Sequence, residues 1–374
     1  MSWALAIGGF VLLVILHEAG HFTAAKLVGM RVERFFLFFP PKLVSFRRGE
    51  TEYGIGAIPL GGFVKITGMN PEEELPPEVE PRAYYRQPVW KRIVVIAAGP
   101  AVNIVLALVI FFFLAVGFGL DTKPNNTIGD VDSTLAAGGQ LESGDELISI
   151  DGVQVADLQG LQLINTVRRQ VATHECAGDP TDGCEATTPA VLRIERDGEP
   201  MTLRITPTYS APQTQPGEPE AEARMIIGFG YEYDRETTSI AGGADFAIDR
   251  LWLVTSRTAE IFGGIFNAET REQISGVVGA TEVARQSFEF DTRQAIGVLA
   301  VISLSLGLVN LLPFLPLDGG HIFWAVVEKV RGRPVPLAIM ERSGVIGFAL
   351  VMILFFIGLQ NDIGRLTGEG FNVR

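Results

Sequence analysis

Residues 3–28 read WALAIGGFVLLVILHEAGHFTAAKLV, an apolar run whose only charged side chains are Glu18 and Lys26. A helix of about 20 such residues crosses the ~30 Å hydrocarbon core of a bilayer, so the stretch predicts a transmembrane helix. It carries His17 and His21, four apart and therefore on one helix face, a spacing that suits two ligands of a single Zn2+ ion. Glu18 between them is placed to take a proton from water activated by that metal. The bland alternative is a chance His-Glu-x-x-His match, but ionisable groups inside hydrocarbon are costly and need a function or a partner. The run has no basic flank before it and no A-x-A-like cleavage site, so it is expected to stay in the mature protein.

Three further windows are long enough to span: Ile93–Leu120, Ala295–Leu317 and Ser343–Leu359. With 47% apolar residues and a mean hydropathy of +0.28, the chain is expected to be a polytopic α-helical membrane protein. Basic residues orient such proteins, because cytoplasmic loops are enriched in Lys and Arg. Eleven run from Lys26, at the end of the first window, to Arg92, just before the second, and four lie between the last two: Lys329, Arg331, Arg333 and Arg342. Those loops are expected in the cytoplasm, with both termini outside the cell or inner membrane. Residues 121–292 would then be extracytoplasmic. They hold 29 acidic and 12 basic residues, a balance that argues against nucleic acid as a partner. Cys176 and Cys184 fall in that stretch, in a Gly/Asp/Pro-rich loop. In an oxidising compartment they suit a disulfide closing a small loop; free thiols, or a zinc knuckle with His174, are the alternatives.

Between the first two windows the pattern changes period. Tyr53-Gly-Ile-Gly-Ala-Ile-Pro-Leu-Gly-Gly-Phe-Val-Lys65 spaces β-branched and aromatic residues by glycines, a strand–turn–strand signature. Residues 70–82, rich in Glu and Pro, suit a solvated linker. From 126 to 209 a small α/β or all-β module is expected. It has a strand at Thr127–Val131, a strand from Gly144 ending in the Asp151-Gly152 turn, an amphipathic helix over Leu158–Gln170, and a hairpin around Arg196-Asp-Gly-Glu199. Residues 210–223 suit a linker, and 243–290 a semi-apolar helical region lying against the membrane.

A zinc site needs a third protein ligand, leaving a position for water. Glu33, Glu50 and Glu52 lie in the strand-like basic loop. Asp318 is better placed, closing Asn310-Leu-Leu-Pro-Phe-Leu-Pro-Leu-Asp-Gly-Gly-His321 at the cytoplasmic end of the third window, the same depth as His17 and His21. Pro313 and Pro316 break the helix there. His321 competes as a third or fourth ligand.

His17-Glu-Ala-Gly-His21, Gly54-x-Gly with Pro59-x-Gly-Gly-Phe-Val, Ala98-Gly-Pro-Ala-Val-Asn103 and Asn310-x-x-Pro-x-x-Pro-x-Leu-Asp318-Gly-Gly occur in this order. Together they resemble the site-2 protease family of intramembrane zinc metalloproteases, more narrowly the bacterial sigma-regulating type with one PDZ domain. The resemblance spans residues 1 to about 360. It implies zinc held by His17, His21 and Asp318, with Glu18 as general base and acid, and Asn310 near the substrate or oxyanion. It implies that Gly54, Gly56, Gly61 and Gly62 lie in a membrane-reentrant β-hairpin, residues 53–66, that pairs with an unwound substrate strand. The implied organisation is a membrane core over 1–120 (second helix 93–120), a PDZ domain over 126–209, linker and membrane-associated helices over 210–292, and a second core part over 293–374. That last part would hold the third helix with Asp318 and a fourth over 343–360. Leu141-x-x-Gly-Asp-x-Leu-x-x-Ile-Asp-Gly carries the PDZ likeness, while Ser133-Thr-Leu-Ala-Ala-Gly-Gly lacks the proline usual in bacterial members. The expected enzyme is a multi-pass endopeptidase acting, toward the cytoplasmic side, on a single-span protein such as a pre-trimmed anti-sigma factor. The rivals are a membrane-bound zinc protease with a cytoplasmic active site, taking a loop glutamate as third ligand and acting on soluble or misfolded proteins, and a non-catalytic PDZ-bearing membrane scaffold or transporter.

Overall fold

The computed structural model describes residues 1–70, 72–132, 135–211, 224–368 and 371. They form two compact units: residues 1–115 with the chain from Ser239 onward, and Val116–Thr238.

In the first unit, helix α1 spans Ser2–Leu27 and α2 spans Val89–Phe113, continuing as a π-helical turn over Leu114–Phe118. After the second unit, which holds α3 (Gly160–Val171), come α4 (Ile240–Gly263), α5 (Ala268–Glu272), α6 (Val277–Phe290), α7 (Thr292–Asn310), α8 (Asp318–Arg331) and α9 (Leu337–Thr367). Among the described residues, four helices are long and apolar enough to cross a membrane: α1, α2 with its π turn, α7 and α9. Lipid is as apolar as leucine, so close packing rather than the hydrophobic effect must hold such helices together. Small residues provide it. A Cβ at Gly20 would come within 2.5 Å of the Ala98 carbonyl oxygen, and one at Gly307 within 3.0 Å of that of Pro100. Ala107 and Phe111 of α2, Ala247 of α4, and Ala300 and Leu304 of α7 form one buried cluster. Val345, Ile346, Phe348 and Phe356 of α9 stay exposed, as a lipid-facing helix requires.

The third apolar window does not continue to residue 317. Helix α7 ends at Asn310, and Asp318 opens the separate helix α8 rather than closing the third span. Pro313 and Pro316 explain the break, since neither can donate to the preceding turn. Within the non-helical 311–317 segment Leu315 is buried, while Leu311 and Phe314 stay exposed. Gly319 and Gly320 let α8 close onto the backbone of Leu311–Leu315, and Gly347 admits the Leu315 carbonyl against α9. Helix α6 is fastened to α9 by Asp362, whose carboxylate accepts hydrogen bonds from the Ser275 hydroxyl and the backbone N–H groups of Gly276 and Gly279.

Strands β1 (Val32–Arg48) and β2 (Thr51–Ile66) pair with each other. The predicted hairpin within 53–66 is therefore replaced by a broader one, turning at Gly49-Glu50. Its register has four segments. Residues 62–66 pair with 32–37, which also lie along 52–55, and 51–56 pair back onto 42–48. Tyr53 has partners on both flanks and Gly62 on one, so a local strand–turn–strand pattern could not reveal this order. Phe36 and Phe39 stack on Phe63 at 5.5 and 5.7 Å. Leu43, Val44, Phe46 and Ile58 are exposed. The base of the hairpin is buried with Ala25, Met30, Val95 and Ile96.

The second unit holds β3 (Leu120–Val131), β4 (Glu146–Ile150), β5 (Val153–Gln154), α3 (Gly160–Val171), β6 (Ala190–Arg196), β7 (Glu199–Ile205), β8 (Thr208–Ser210), β9 (Arg224–Ile226) and β10 (Phe229–Glu236). Its main sheet has the order β10-β3-β4-β6-β7, with β5 paired to β4. The turns fall where Asp-Gly predicts them: Asp151 and Gly152, then Asp197 and Gly198, take positive φ. The unit begins before residue 126 and closes after 209, because β10 returns to pair with β3. Of the expected linker, 212–223 lie outside the described residues, as do Ser133 and Thr134. Cys176 and Cys184 form a disulfide, and His174 contacts Asp151 and Thr188 rather than the sulfurs.

Ile128, Leu147, Ile150, Leu163, Leu192, Ile194 and Ile205 fill the core of this unit. At its edge the Asp145 side chain is 1% exposed and accepts from Arg196 Nε at 2.7 Å. Burial alone would raise the Asp145 pKa, but hydrogen bonds from Arg196 and the Glu142 backbone N–H outweigh it and hold the carboxyl below its ordinary value. Arg196→Met is expected to destabilise the unit by about 3 kcal/mol, since it strands a buried charge. Amide hydrogen exchange of β4 and β6 in the full chain should speed up by roughly 100-fold (1.4 kcal/mol per decade). Because the folded pKa is depressed, this contribution is present at neutral pH and fades only as pH falls through the carboxyl's range, near 3.8 and below. The variant should lack that acid-dependent loss.

Candidate metal centre

His17 and His21 occupy one face of α1, both 7% exposed, with ring centroids 4.9 Å apart. The helix period stacks them, and α2 and α8 close around them. Asp318, the first residue of α8, brings Oδ2 to 3.2 Å from Nε2 of each histidine, and the two Nε2 atoms are 3.2 Å apart. Among the described residues, the three form a group whose ligand atoms all lie within 4.8 Å of one another.

The Nδ1–H of His21 donates to the Val95 carbonyl at 2.9 Å. That bond fixes its tautomer and leaves Nε2 with a bare lone pair aimed at His17 and Asp318. Two imidazole nitrogens and a carboxylate oxygen converging on one point repel one another unless a proton or a metal cation lies between them. This N,N,O set, buried and short of a fourth donor, fits zinc with one position left for water.

Neighbouring backbone enforces the arrangement. A Cβ on Gly99 would collide with the His21 ring, so only glycine lets α2 pass there. Arg92 of α2 grips Glu328 of α8 through two hydrogen bonds of 3.0 and 2.6 Å, tying the helix that begins with Asp318 to the helix that orients His21. Neither Gly99 nor the Arg92–Glu328 pair was assigned a role from sequence. The available signal was a small residue and an arginine at the start of an otherwise apolar span.

Glu18 lies beside the hairpin. A Cβ on Gly62 would sit 2.7 Å from Glu18 Cγ and 3.2 Å from the Phe36 carbonyl oxygen. Gly61, with φ +135°, turns the chain into this approach. Gly54 and Gly56 face inward instead, against the Phe36 ring and the carbonyls of Phe38 and Phe39. Asn310 is held by its own helix, its Nδ2 donating to the Leu306 carbonyl at 3.0 Å. His321 is not in the three-residue group. The loop glutamates are engaged elsewhere: Glu33 with Lys65, Glu52 with Lys42, and Glu50 with Arg82 and Lys26. Arg82 first, and Lys26 after it, hold the Glu50 carboxyl down at about 2.

Gly62→Val is expected to displace Glu18 without touching the three converging donors. Hydrolysis should fall about 100-fold, the cost of a misplacement near 1 Å. Bound zinc, measured by elemental analysis, should stay at the wild-type level.

Residues 5–354 match the family model described as peptidase family M50. The chain is 31% identical over 394 residues to zinc metalloprotease Rip1 of Mycolicibacterium smegmatis, covering 94% of this chain and 92% of that protein. Its similarity to zinc metalloprotease Rip1 of Mycobacterium tuberculosis is 32% identity over 350 residues, covering 88% and 85%.

Proposed function

The chain belongs to peptidase family M50, the site-2 proteases, and from that membership we propose that it cleaves single-span membrane proteins within the bilayer. It is a zinc-dependent metalloendopeptidase and a multi-pass membrane protein. In the proposed site His17, His21 and Asp318 hold one zinc ion. The observation that carries this reading is their convergence at 3.2 Å, with both histidines on α1, a helix long and apolar enough to span. When bound, zinc supplies Lewis-acid polarisation of the peptide carbonyl and lowers the pKa of water toward ~7. Glu18 takes a proton from the attacking water and hands it to the leaving amine.

The hairpin is the proposed substrate platform. A membrane helix must unwind before a peptide bond becomes accessible, and its freed backbone groups then need partners. Residues 62–66 pair on one side only among the described residues, leaving an edge, and Gly62 on that edge abuts Glu18. A substrate strand added there would lie across the proposed base. The exposed Leu43, Val44, Phe46 and Ile58 support a hairpin that re-enters the membrane. Asn310 is proposed to contact substrate after leaving its helical carbonyl. Residues 126–209 are proposed as an extracytoplasmic PDZ domain selecting substrates by strand addition, with the membrane core contributed by 1–120 and 293–374. The acidic balance of 121–292 and the Cys176–Cys184 disulfide support that sidedness. A pre-trimmed anti-sigma factor fits the proposed substrate class.

The test is reconstitution of the purified chain in lipid vesicles with a single-span protein whose helix carries Gly and Pro, beside the same segment as a water-soluble fusion. Cleavage within the span, stopped by a chelator and restored by zinc, is the expected outcome. Equal cleavage of the soluble fusion would overturn the intramembrane reading.

A further inference from the structure

Two buried groups without partners lie on facing helices. His17 Nδ1 is buried with no hydrogen-bond partner, and both carboxamide atoms of Asn103, a residue 0% exposed, are likewise unmatched among the described residues. Helices α1 and α2 run antiparallel. Lys91 reaches the Val28 carbonyl, His21 meets Val95 and Gly99, and Gly20 meets Ala98 and Val102. One turn further in that register, His17 (four before His21) comes level with Asn103 (four after Gly99), each on the face already in contact. Helix α7 hems in Asn103 from behind: Ser303 Oγ donates to its backbone carbonyl at 3.0 Å, and Gly307 packs at its Cβ.

The two needs are complementary. As a zinc ligand through the Nε2 that faces Asp318 and His21, His17 would carry its proton on Nδ1, which makes that atom a donor. Asn103 Oδ1 is an acceptor. A metal-ligating histidine nearly always donates its second ring N–H, as His21 does to Val95. We propose that Asn103 is the positioning residue for His17, its carboxamide oxygen taking the Nδ1–H directly or across one water and so fixing the tautomer that presents Nε2. The inference rests on the ligand reading of His17.

The experiment measures zinc affinity by chelator competition, and zinc-free thermal unfolding, on the purified full chain in detergent. Asn103→Leu should weaken zinc by about 10- to 100-fold, the usual loss when a ligand's orienting partner goes. Its zinc-free melting temperature should not fall, because the apolar side chain removes an unmatched buried amide. Asn103→Asp keeps an acceptor and should bind zinc within about threefold of wild type. An amide with a purely structural role would lower the melting temperature of Asn103→Leu and leave zinc affinity within twofold, which overturns the proposal. Should Asn103→Leu not fold, nitrogen NMR of histidine-labelled protein decides: the His17 Nδ1–H resonance must move in Asn103→Asp, and an unmoved resonance overturns the proposal. His17→Ala assigns that resonance and should abolish zinc binding. If His17→Ala kept zinc, the ligand reading would fail and take this inference with it, whereas its loss of zinc beside an unaffected Asn103→Leu would sink this inference alone.

Discussion

Replacing Glu18 by Gln is expected to slow peptide hydrolysis by about 1,000-fold while the purified protein keeps its zinc. The substitution preserves shape and removes only the ability to accept and return a proton, a function worth roughly 10²–10⁴ in rate. Glu18 is outside the three-residue donor group, so metal content should not follow activity downward. The Gly62 contact bears on the same point: glutamine fits beside that strand as glutamate does, so substrate binding should persist and trapped substrate should accumulate. Single-turnover cleavage in vesicles, with zinc quantified on the same sample, separates the outcomes. A Glu18→Gln protein cleaving at the wild-type rate would remove Glu18 from the mechanism.

The sequence was legible where a short-range rule governs the outcome. A four-residue spacing puts His17 and His21 on one face whatever surrounds them. Asp151-Gly152 and Asp197-Gly198 turn the chain because positive φ is inexpensive at those residues. Spans could be located by hydropathy, yet not ended by it: 295–317 is free of charge throughout, and Pro313 and Pro316 follow the end of α7 at Asn310. Long-range register was the blind spot. Nothing local to 53–66 says that its two ends pair with 32–37 and 42–48, and nothing near 224–236 says that it returns to β3. The same limit applied to the site. The Ala98-Gly99 pair carries its meaning only once α1 lies against it, because the excluded atom belongs to His21, 78 positions away. Gly62 was singled out as a strand glycine, but the neighbour that forbids a side chain there is Glu18, a residue of a different element.

Asp318→Ala is expected to lower zinc affinity by well over 100-fold and to leave no measurable hydrolysis. Loss of an orienting partner already costs about 10–100-fold, and losing a ligand should exceed that. Two imidazoles alone bring no negative charge to a divalent ion in a low-dielectric bundle, and Asp318 supplies the one carboxylate in the donor group. The melting temperature gives a readout independent of activity. Zinc at about 100 times its dissociation constant should stabilise the wild-type fold by about 2.7 kcal/mol, and at the same concentration the variant should show almost none of that shift. Glu50→Gln is the informative companion. If a loop glutamate supplied the third ligand instead, Asp318→Ala would keep its zinc-dependent shift and Glu50→Gln would lose it. The geometry argues the reverse, because Glu50 is committed to Arg82 and Lys26, while the Asp318 oxygen has the two imidazoles for neighbours. Glu50→Gln should therefore disturb the turn that joins β1 to β2 and leave zinc binding where it was.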